Sequence, residues 1–305
     1  MIRKEIFVTL AKSSFQRHLW TMKTLLSLGH GYCATALATR LLPQGWKVLG
    51  TTRSAEKCAA MAATGVEPVL WTQTDLTQAL SRATHVLASA APDATGDPAL
   101  GLIATALARN AHRLEWVGYL STTGVYGDHD GGWVTETTPL DPATARGKAR
   151  VHAEQDWAAI PDLPLHIFRL AGIYGPGRGP FAKVRAGTAQ RIIKQGQVFS
   201  RIHVDDIAQV LEASMQAPAP GTAYNVCDDD PAPPQDVIAE AAKLLGLPLP
   251  PEVDFDTADL SPMARSFYSE SKRVSNRRIK EDLGVRLLYP DYRAGLRALL
   301  ATEQA

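Results

Sequence analysis

From residue 29 to 34 the chain reads Gly-His-Gly-Tyr-Cys-Ala, and from 51 to 54 it reads Thr-Thr-Arg-Ser. An apolar run precedes the first segment, an apolar-striped stretch follows it, and a second apolar run leads into the other segment. The chemistry this spacing suits is capture of a diphosphate. Unpaired N–H groups converge at a helix N-terminus, and glycine removes the side chain that would block approach. In that role Gly29 makes the tight turn and Gly31 lets the main chain reach the phosphates. Tyr32 and Cys33 open the helix, and Ala34 is small enough for it to lie close on its strand. Roughly 20 residues beyond the glycines is the position that meets the adenosine ribose. A carboxylate there holds a 2′-hydroxyl and repels a 2′-phosphate, whereas Arg53 offers a guanidinium and Ser54 a hydroxyl. The pattern predicts a dinucleotide site that prefers NADP(H) over NAD(H). The plainer alternative makes Arg53 an exposed arginine at a strand end. In a chain with 23 glycines such spacings also arise by chance, so the strand–helix–strand setting carries the inference.

The elements needed to position those residues continue along the chain. A helix is expected over Ala55–Thr64, closed by Gly65, then a strand over Glu67–Trp71 and a short helix over Asp75–Arg82. His85–Ala91 reads as a buried strand halted by Pro92. Ligands of open α/β sheets bind outside the carboxyl ends of the strands, so Ala90 and Ala91 would leave room for a cofactor. A helix over Leu100–Asn110, a strand over Glu115–Ser121, a helix from near Arg146 carrying Trp157, and a strand over Leu165–Leu170 complete the alternation. Near-continuous apolar strands between helices predict a Rossmann-type doubly wound parallel sheet covered on both faces. Beyond Ala171 the stiff Gly175–Pro180 loop and recurrent proline clusters mark a change of texture. The expected organisation is a dinucleotide-binding domain over 22–171, with 201–228 returning to it, and a smaller substrate lobe from 172–200 and 229–305. Ala223–Val226 is the returning strand, and Gln235–Leu245 a helix capped at Gly246. Residues 1–21 precede the first strand without a place in this order, so they are expected to be an N-terminal extension, with Met22 as an alternative start.

Composition narrows the class. A chain of 305 residues, 45% hydrophobic and 21% charged with net charge +1, reads as an ordinary soluble globular protein and not a general nucleic-acid binder. No apolar run reaches membrane-spanning length, and the three scattered cysteines suit a reducing compartment, which together predict a cytoplasmic protein without membrane or nucleic-acid partners. Cys33 is either a thiolate favoured by the helix dipole or, more simply, a small residue filling a tight space. The basic run Lys272–Lys280 reads as the solvated face of a helix ending near Gly284, with a hold on an anionic substrate as the alternative. Asp228, Asp229 and Asp230 read as turn and helix-cap residues in preference to metal ligands, and no metal site is expected.

Five blocks in order carry a family resemblance: GHGYCA; Ser121–Gly127 (STTGVYG); Arg169–Arg178 (RLAGIYGPGR); Arg201–Ile207 (RIHVDDI); and Tyr224-Asn225-Val226. From Met22 onward the chain resembles the extended short-chain dehydrogenase/reductases, in the NAD-dependent epimerase/dehydratase branch. The resemblance implies a Rossmann domain, a small C-terminal lobe often recognising nucleotide sugars, and an active site in the cleft between them. It also implies a Tyr-x-x-x-Lys pair on a helix and a Ser or Thr after the fifth strand. There the Tyr exchanges a proton with a substrate hydroxyl while hydride moves to or from the nicotinamide, and the Lys lowers the Tyr pKa and binds ribose. Glu154 matches a glutamate that follows the Lys by four residues, which places the Lys position on Arg150 and the Tyr position on Arg146. Thr144–Glu154 (TARGKARVHAE) contains no tyrosine, and a one-turn slip that brings Lys148 to the ribose supplies no phenol. An arginine stays charged and cannot donate the proton. Carried over residue by residue, Thr122 faces the substrate, and Arg150 and Ile173 contact the cofactor. Tyr126 is the nearest phenol in the motif, with a buried, hydrogen-bonded aromatic as its plainer reading. His203, Asp205 and Asp206 imitate a catalytic dyad, but the resemblance makes their segment a joint between lobes, with the acids capping the next helix; the role of Arg201 stays open. The expected function is an atypical NADP(H)-dependent oxidoreductase or epimerase-like enzyme acting on a small molecule, with a homodimer compatible. An NADP(H)-sensing protein without turnover is the rival, and a cofactor-free scaffold the third option.

Overall fold

The structure, a computed structural model, describes residues 22–304. The expected extension over 1–21 lies outside the described residues. Seven parallel strands form the main sheet: β1 (Thr24–Leu28), β2 (Lys47–Thr52), β3 (Glu67–Leu70), β4 (His85–Ala88), β5 (Trp116–Thr122), β7 (Leu165–Leu170) and β11 (Ala223–Val226), in the order β11-β7-β5-β4-β1-β2-β3. Short parallel pairs join β6 (Trp133–Val134) to β13 (Arg273–Val274), β8 (Gly172–Tyr174) to β10 (Arg201–His203), and β9 (Arg191–Ile193) to β12 (Glu252–Asp254). The helices are α1 (Tyr32–Leu41), α2 (Glu56–Ala63), α3 (Gln73–Arg82), α4 (Leu100–Asn110), α5 (Ala145–Ala158), α6 (Phe181–Arg185), α7 (Val204–Gln216), α8 (Pro234–Leu244), α9 (Pro262–Phe267), α10 (Arg277–Glu281) and α11 (Tyr292–Gln304).

The alternating pleat sends neighbouring apolar residues to opposite faces, which is why near-continuous hydrophobic strands need helices on both sides. Leu25, Val48, Leu87 and Phe168 pack with Leu37 of α1 and Leu211 of α7 on one face. Leu26, Leu49, Val86 and Val117 pack with Leu80 of α3 and Leu107 of α4 on the other. α1 buries Cys33, Ala34, Leu37, Ala38 and Leu41, a single helical stripe.

Several boundaries shift for local reasons. β4 stops at Ala88 instead of Ala91, because the Ser89 and Ala90 amides both donate to the Leu28 carbonyl and fold the chain over the end of β1. The basic run is not one helix. Lys272 is buried, β13 pairs beside β6, and only Arg277–Glu281 is helical. Among the described residues, no helix is long and apolar enough to cross a membrane.

Candidate active site

At the end of β1, Gly29 has φ +86°, and a Cβ there would lie 2.7 Å from the Ala90 amide nitrogen. Both facts require glycine. Thr51 fixes the turn: its hydroxyl accepts from the Gly29 amide at 2.7 Å and donates to the Ser27 carbonyl at 3.0 Å. Gly31 is the N-cap of α1, with no side-chain cap and no acid in the first turn. A Cβ on Gly31 would meet nothing nearer than the Gly29 oxygen at 3.9 Å, so the space over the orphan amides is open. That open, uncapped helix start fits a diphosphate. Ala34 is buried, and burial pushes the Cys33 thiol up to about 11, so Cys33 is a small packing residue and not a thiolate. Arg53 is exposed at the end of β2, and Ser54, half-buried beside it, donates its amide to the Thr52 hydroxyl at 3.2 Å. Among the described residues no carboxylate pairs with Arg53. Ala90 is a backbone buttress for Gly29, and Ala91 is exposed. His30 had no place in the sequence reasoning, yet its ring lies over β2, where a Cβ on Gly50 would approach it to 2.9 Å.

A cavity of about 600 Å³ begins where β5 and β7 end. Strand alternation separates two neighbouring hydroxyls. Ser121 turns inward and donates to Glu154 at 2.5 Å, while Thr122 turns to the cavity. The Thr122 hydroxyl accepts from the Gly124 amide at 3.2 Å, which leaves its own proton for a ligand oxygen. Ile173, the middle residue of β8, borders the same cavity.

Tyr126 is fully buried, outside the cavity lining. Its hydroxyl donates to Asn225 Oδ1 at 2.7 Å and accepts from Arg169 at 3.0 Å, the geometry of a buried, hydrogen-bonded aromatic. α5 carries no tyrosine. Arg150 is half-buried and donates to the Tyr119 hydroxyl and the Leu120 carbonyl, which ties α5 to β5; it does not border the cavity. Arg146 does border it, with its guanidinium 4.6 Å over the Phe267 ring.

Two further cations face the cavity: Arg178, which the sequence left without a site role, and Lys272, from the basic run whose alternative reading was a hold on an anionic substrate. Arg178 lies 5.1 Å over the Tyr32 ring, and the Tyr32 hydroxyl donates to the Pro176 carbonyl at 2.9 Å, so the Gly175–Arg178 loop is strapped to the start of α1. Lys272 pairs with Glu270 at 2.6 Å and donates to the Gly127 carbonyl. Arg201 lines the cavity too, and its side chain donates to the carbonyls of Phe199 and Ala232.

The acids behave differently from their expected capping roles. His203 Nδ1, not an aspartate, accepts from the Asp205 amide at the start of α7. Asp206 is buried and accepts from the Leu288 and Tyr289 amides at 2.7 and 3.1 Å. Asp228 accepts from the Asp230 amide at 3.4 Å, a turn contact, Asp229 pairs with Lys280 and Asp230 with Arg293, and none caps α8, whose N-cap is Pro233. No group of three or more potential metal ligands occurs among the described residues.

An open glycine cradle at the end of the first of seven parallel strands, beside a cavity at the strands' carboxyl ends, defines a dinucleotide-binding Rossmann protein. Residues 28–227 match the NAD dependent epimerase/dehydratase family. The chain belongs to that family. It is 31% identical over 288 residues to protein YeeZ of Escherichia coli (strain K12), spanning 88% of this chain and 97% of that one. A functionally unknown conserved protein from Silicibacter pomeroyi DSS is 61% identical and superposes with TM-score 0.87, over 93% of this chain and 100% of its own. A 3-diazoavenalumate denitrifying reductase from Streptomyces sp is 29% identical over 169 residues, 51% of this chain and 54% of that one.

Proposed function

We propose that the protein is an oxidoreductase or epimerase-like enzyme that binds NADP(H) in preference to NAD(H) and acts on a hydroxylated small molecule of nucleotide-sugar type. The observation that carries this reading is the uncapped turn at Gly29–Ala34, open above Gly31, with the unpaired Arg53 guanidinium at the end of the neighbouring strand. In the proposed complex the first-turn amides of α1 hold the diphosphate, and Arg53 with Ser54 holds the 2′-phosphate. Arg178, strapped over the same helix start, adds a second cation to the phosphates. The family resemblance assigns Arg150 to the ribose or phosphate and Ile173 to the cofactor; Ile173 borders the cavity, while Arg150 is held to Tyr119 and Leu120. When bound, the cofactor would supply a hydride donor or acceptor. Thr122 donates its free hydroxyl proton to a substrate oxygen and so orients the reacting carbon. The substrate lobe is assigned to 172–200 and 229–305, the protein to the cytoplasm, and a homodimer is compatible with every assignment.

Arg146 stands at the position from which a phenol is expected, and a guanidinium holds its protons throughout the working pH range. The likeness over half the chain to a protein named as a reductase supports a reduction as the reaction class. The same missing phenol supports a second reading, a sensor of NADP(H) without turnover. Calorimetric titration with NADPH tests the shared premise, and absence of binding would overturn both readings. Turnover by the wild-type protein that is lost in Thr122→Val with cofactor affinity retained would eliminate the sensor.

A further inference from the structure

We propose that the cavity takes a substrate bearing an oxoanion on an apolar frame, and that Arg146 holds this group at the reacting end. The idea rests on the proposed reading only in taking Thr122 to mark that end. Four cations border the cavity: Arg146, Arg178, Arg201 and Lys272. The carboxylate among its lining residues, Glu270, is already spent on Lys272. Among the described residues, none of the three arginines has a carboxylate within ion-pair distance. Arg178 is already given to the cofactor phosphates and Asp228 lies near Arg201, so Arg146 is the guanidinium of this half-enclosed space with its charge still to be met, and an anionic ligand would meet it.

The position of Arg146 makes it specific. It lies in the first turn of α5, and its neighbour Gly147 is pressed onto the loop after β5 so tightly that a Cβ would come within 2.7 Å of the Gly124 carbonyl. The helix start is therefore locked beside Thr122–Gly124. From there the guanidinium crosses to Phe267, a half-exposed ring on α9, and rests on its face at 4.6 Å. Stacking uses the flat face of the guanidinium and leaves the in-plane N–H fork for a bidentate carboxylate or phosphate. The remaining wall, including Leu170, Val198, Phe199 and Val274, suits an apolar body. Where a phenol would serve a neutral alcohol, this side chain selects a ligand already charged, or stabilises negative charge that develops on an oxygen.

The test titrates the full-length protein calorimetrically with benzoate, phenyl phosphate, inorganic phosphate and benzyl alcohol, without nucleotide, and separately with NADPH. At least one of benzoate and phenyl phosphate is expected to bind about tenfold or more tighter than benzyl alcohol, the margin a charge-assisted pair supplies. Comparing the two identifies the oxoanion. Arg146→Gln should remove that margin and Arg146→Lys should restore part of it, with unchanged melting temperature and NADPH affinity. An anion held at the glycine turn would ignore both substitutions. Equal binding of benzyl alcohol, inorganic phosphate as tight as phenyl phosphate, or anion affinity that survives Arg146→Gln overturns the inference. Because the anions are titrated without nucleotide, failure to bind NADPH would sink the proposed function and leave this result standing.

Discussion

Arg53 carries an exposed charge just past β2 with no ion-pair partner among the described residues, and the proposed reading makes nucleotide choice turn on it. Charge-assisted hydrogen bonds contribute about 1.5–3 kcal/mol, so Arg53→Ala should weaken NADPH binding by roughly tenfold to a hundredfold. NADH affinity should stay within about twofold, since that nucleotide lacks the group Arg53 meets. Parallel calorimetric titrations check the split, and equal losses for both nucleotides would show that Arg53 does not read the 2′-phosphate. Thr122 and Tyr126 form a second contrast. Thr122→Val removes the donor that faces the cavity, and a lost donor to a reacting oxygen costs about a hundredfold in turnover. Tyr126→Phe leaves turnover near the wild-type level but unpairs Asn225 Oδ1 and one Arg169 N–H, which should cost about 1–3 kcal/mol in a denaturant titration. The reverse outcome, with activity lost in Tyr126→Phe and stability unchanged, would return the phenol to the chemistry.

At the scale of elements, α5 is bolted to β7 by a buried ion pair. Arg169 meets Glu154 through two nitrogens at 2.8 and 3.2 Å, with both side chains under a tenth exposed, and Ser121 on β5 adds a third bond to the same carboxylate. Breaking such a pair from one side leaves a buried charge, so Glu154→Ala should cost about 3–5 kcal/mol by chemical denaturation. Glu154→Ala paired with Arg169→Met should recover much of that loss. A loss below about 1 kcal/mol would mean that water reaches the pair. The alternation of strands and helices up to Leu170 was legible because it is a local pattern: Leu25 and Leu26 face opposite cores by the pleat alone, and α1 shows its buried stripe in five residues. The glycine cradle was legible for the same reason, and the positive φ of Gly29 is what a G-x-G turn anticipates. What was not legible couples distant segments. Lys272 looked like one charge in a basic run, and only its bonds to Gly127 and Glu270 make it a buried residue of the cavity wall. Asp206 looked like a cap until its carboxylate was seen bridging to residues 288–289. Arg178 stood in a motif with no role until the loop carried it back over Tyr32.

Across the whole molecule, the buried acids set how stability responds to pH. Asp228, two residues past the end of β11, is 1% exposed, and burial pushes its carboxyl up to about 8, with Arg201 nearby acting in the opposite direction. In the unfolded chain an aspartate titrates near 3.9. Between those values the folded protein holds a proton that the unfolded chain has released, so stability falls as pH rises, by about 1.4 kcal/mol per unit, and levels off above pH 8. Asp206, raised by burial to about 6, slopes the same way but only up to that pH. His85 opposes both: burial lowers it to about 4, so the unfolded chain takes up a proton first and stability rises with pH from about 4 to 6.5. The contributions overlap below pH 6.5 and partly cancel. From 6.5 to 8 Asp228 dominates these three, and melting temperature should fall across that window by the equivalent of roughly 2 kcal/mol. Asp228→Asn, which keeps the shape and cannot ionise, should flatten the profile there, with the gap between the two proteins widening toward pH 8. Thermal melts of both proteins at half-unit steps check this. A profile with the same slope in Asp228→Asn would move the titration to another group, and a flat wild-type profile would show that Arg201 keeps the carboxylate ionised throughout.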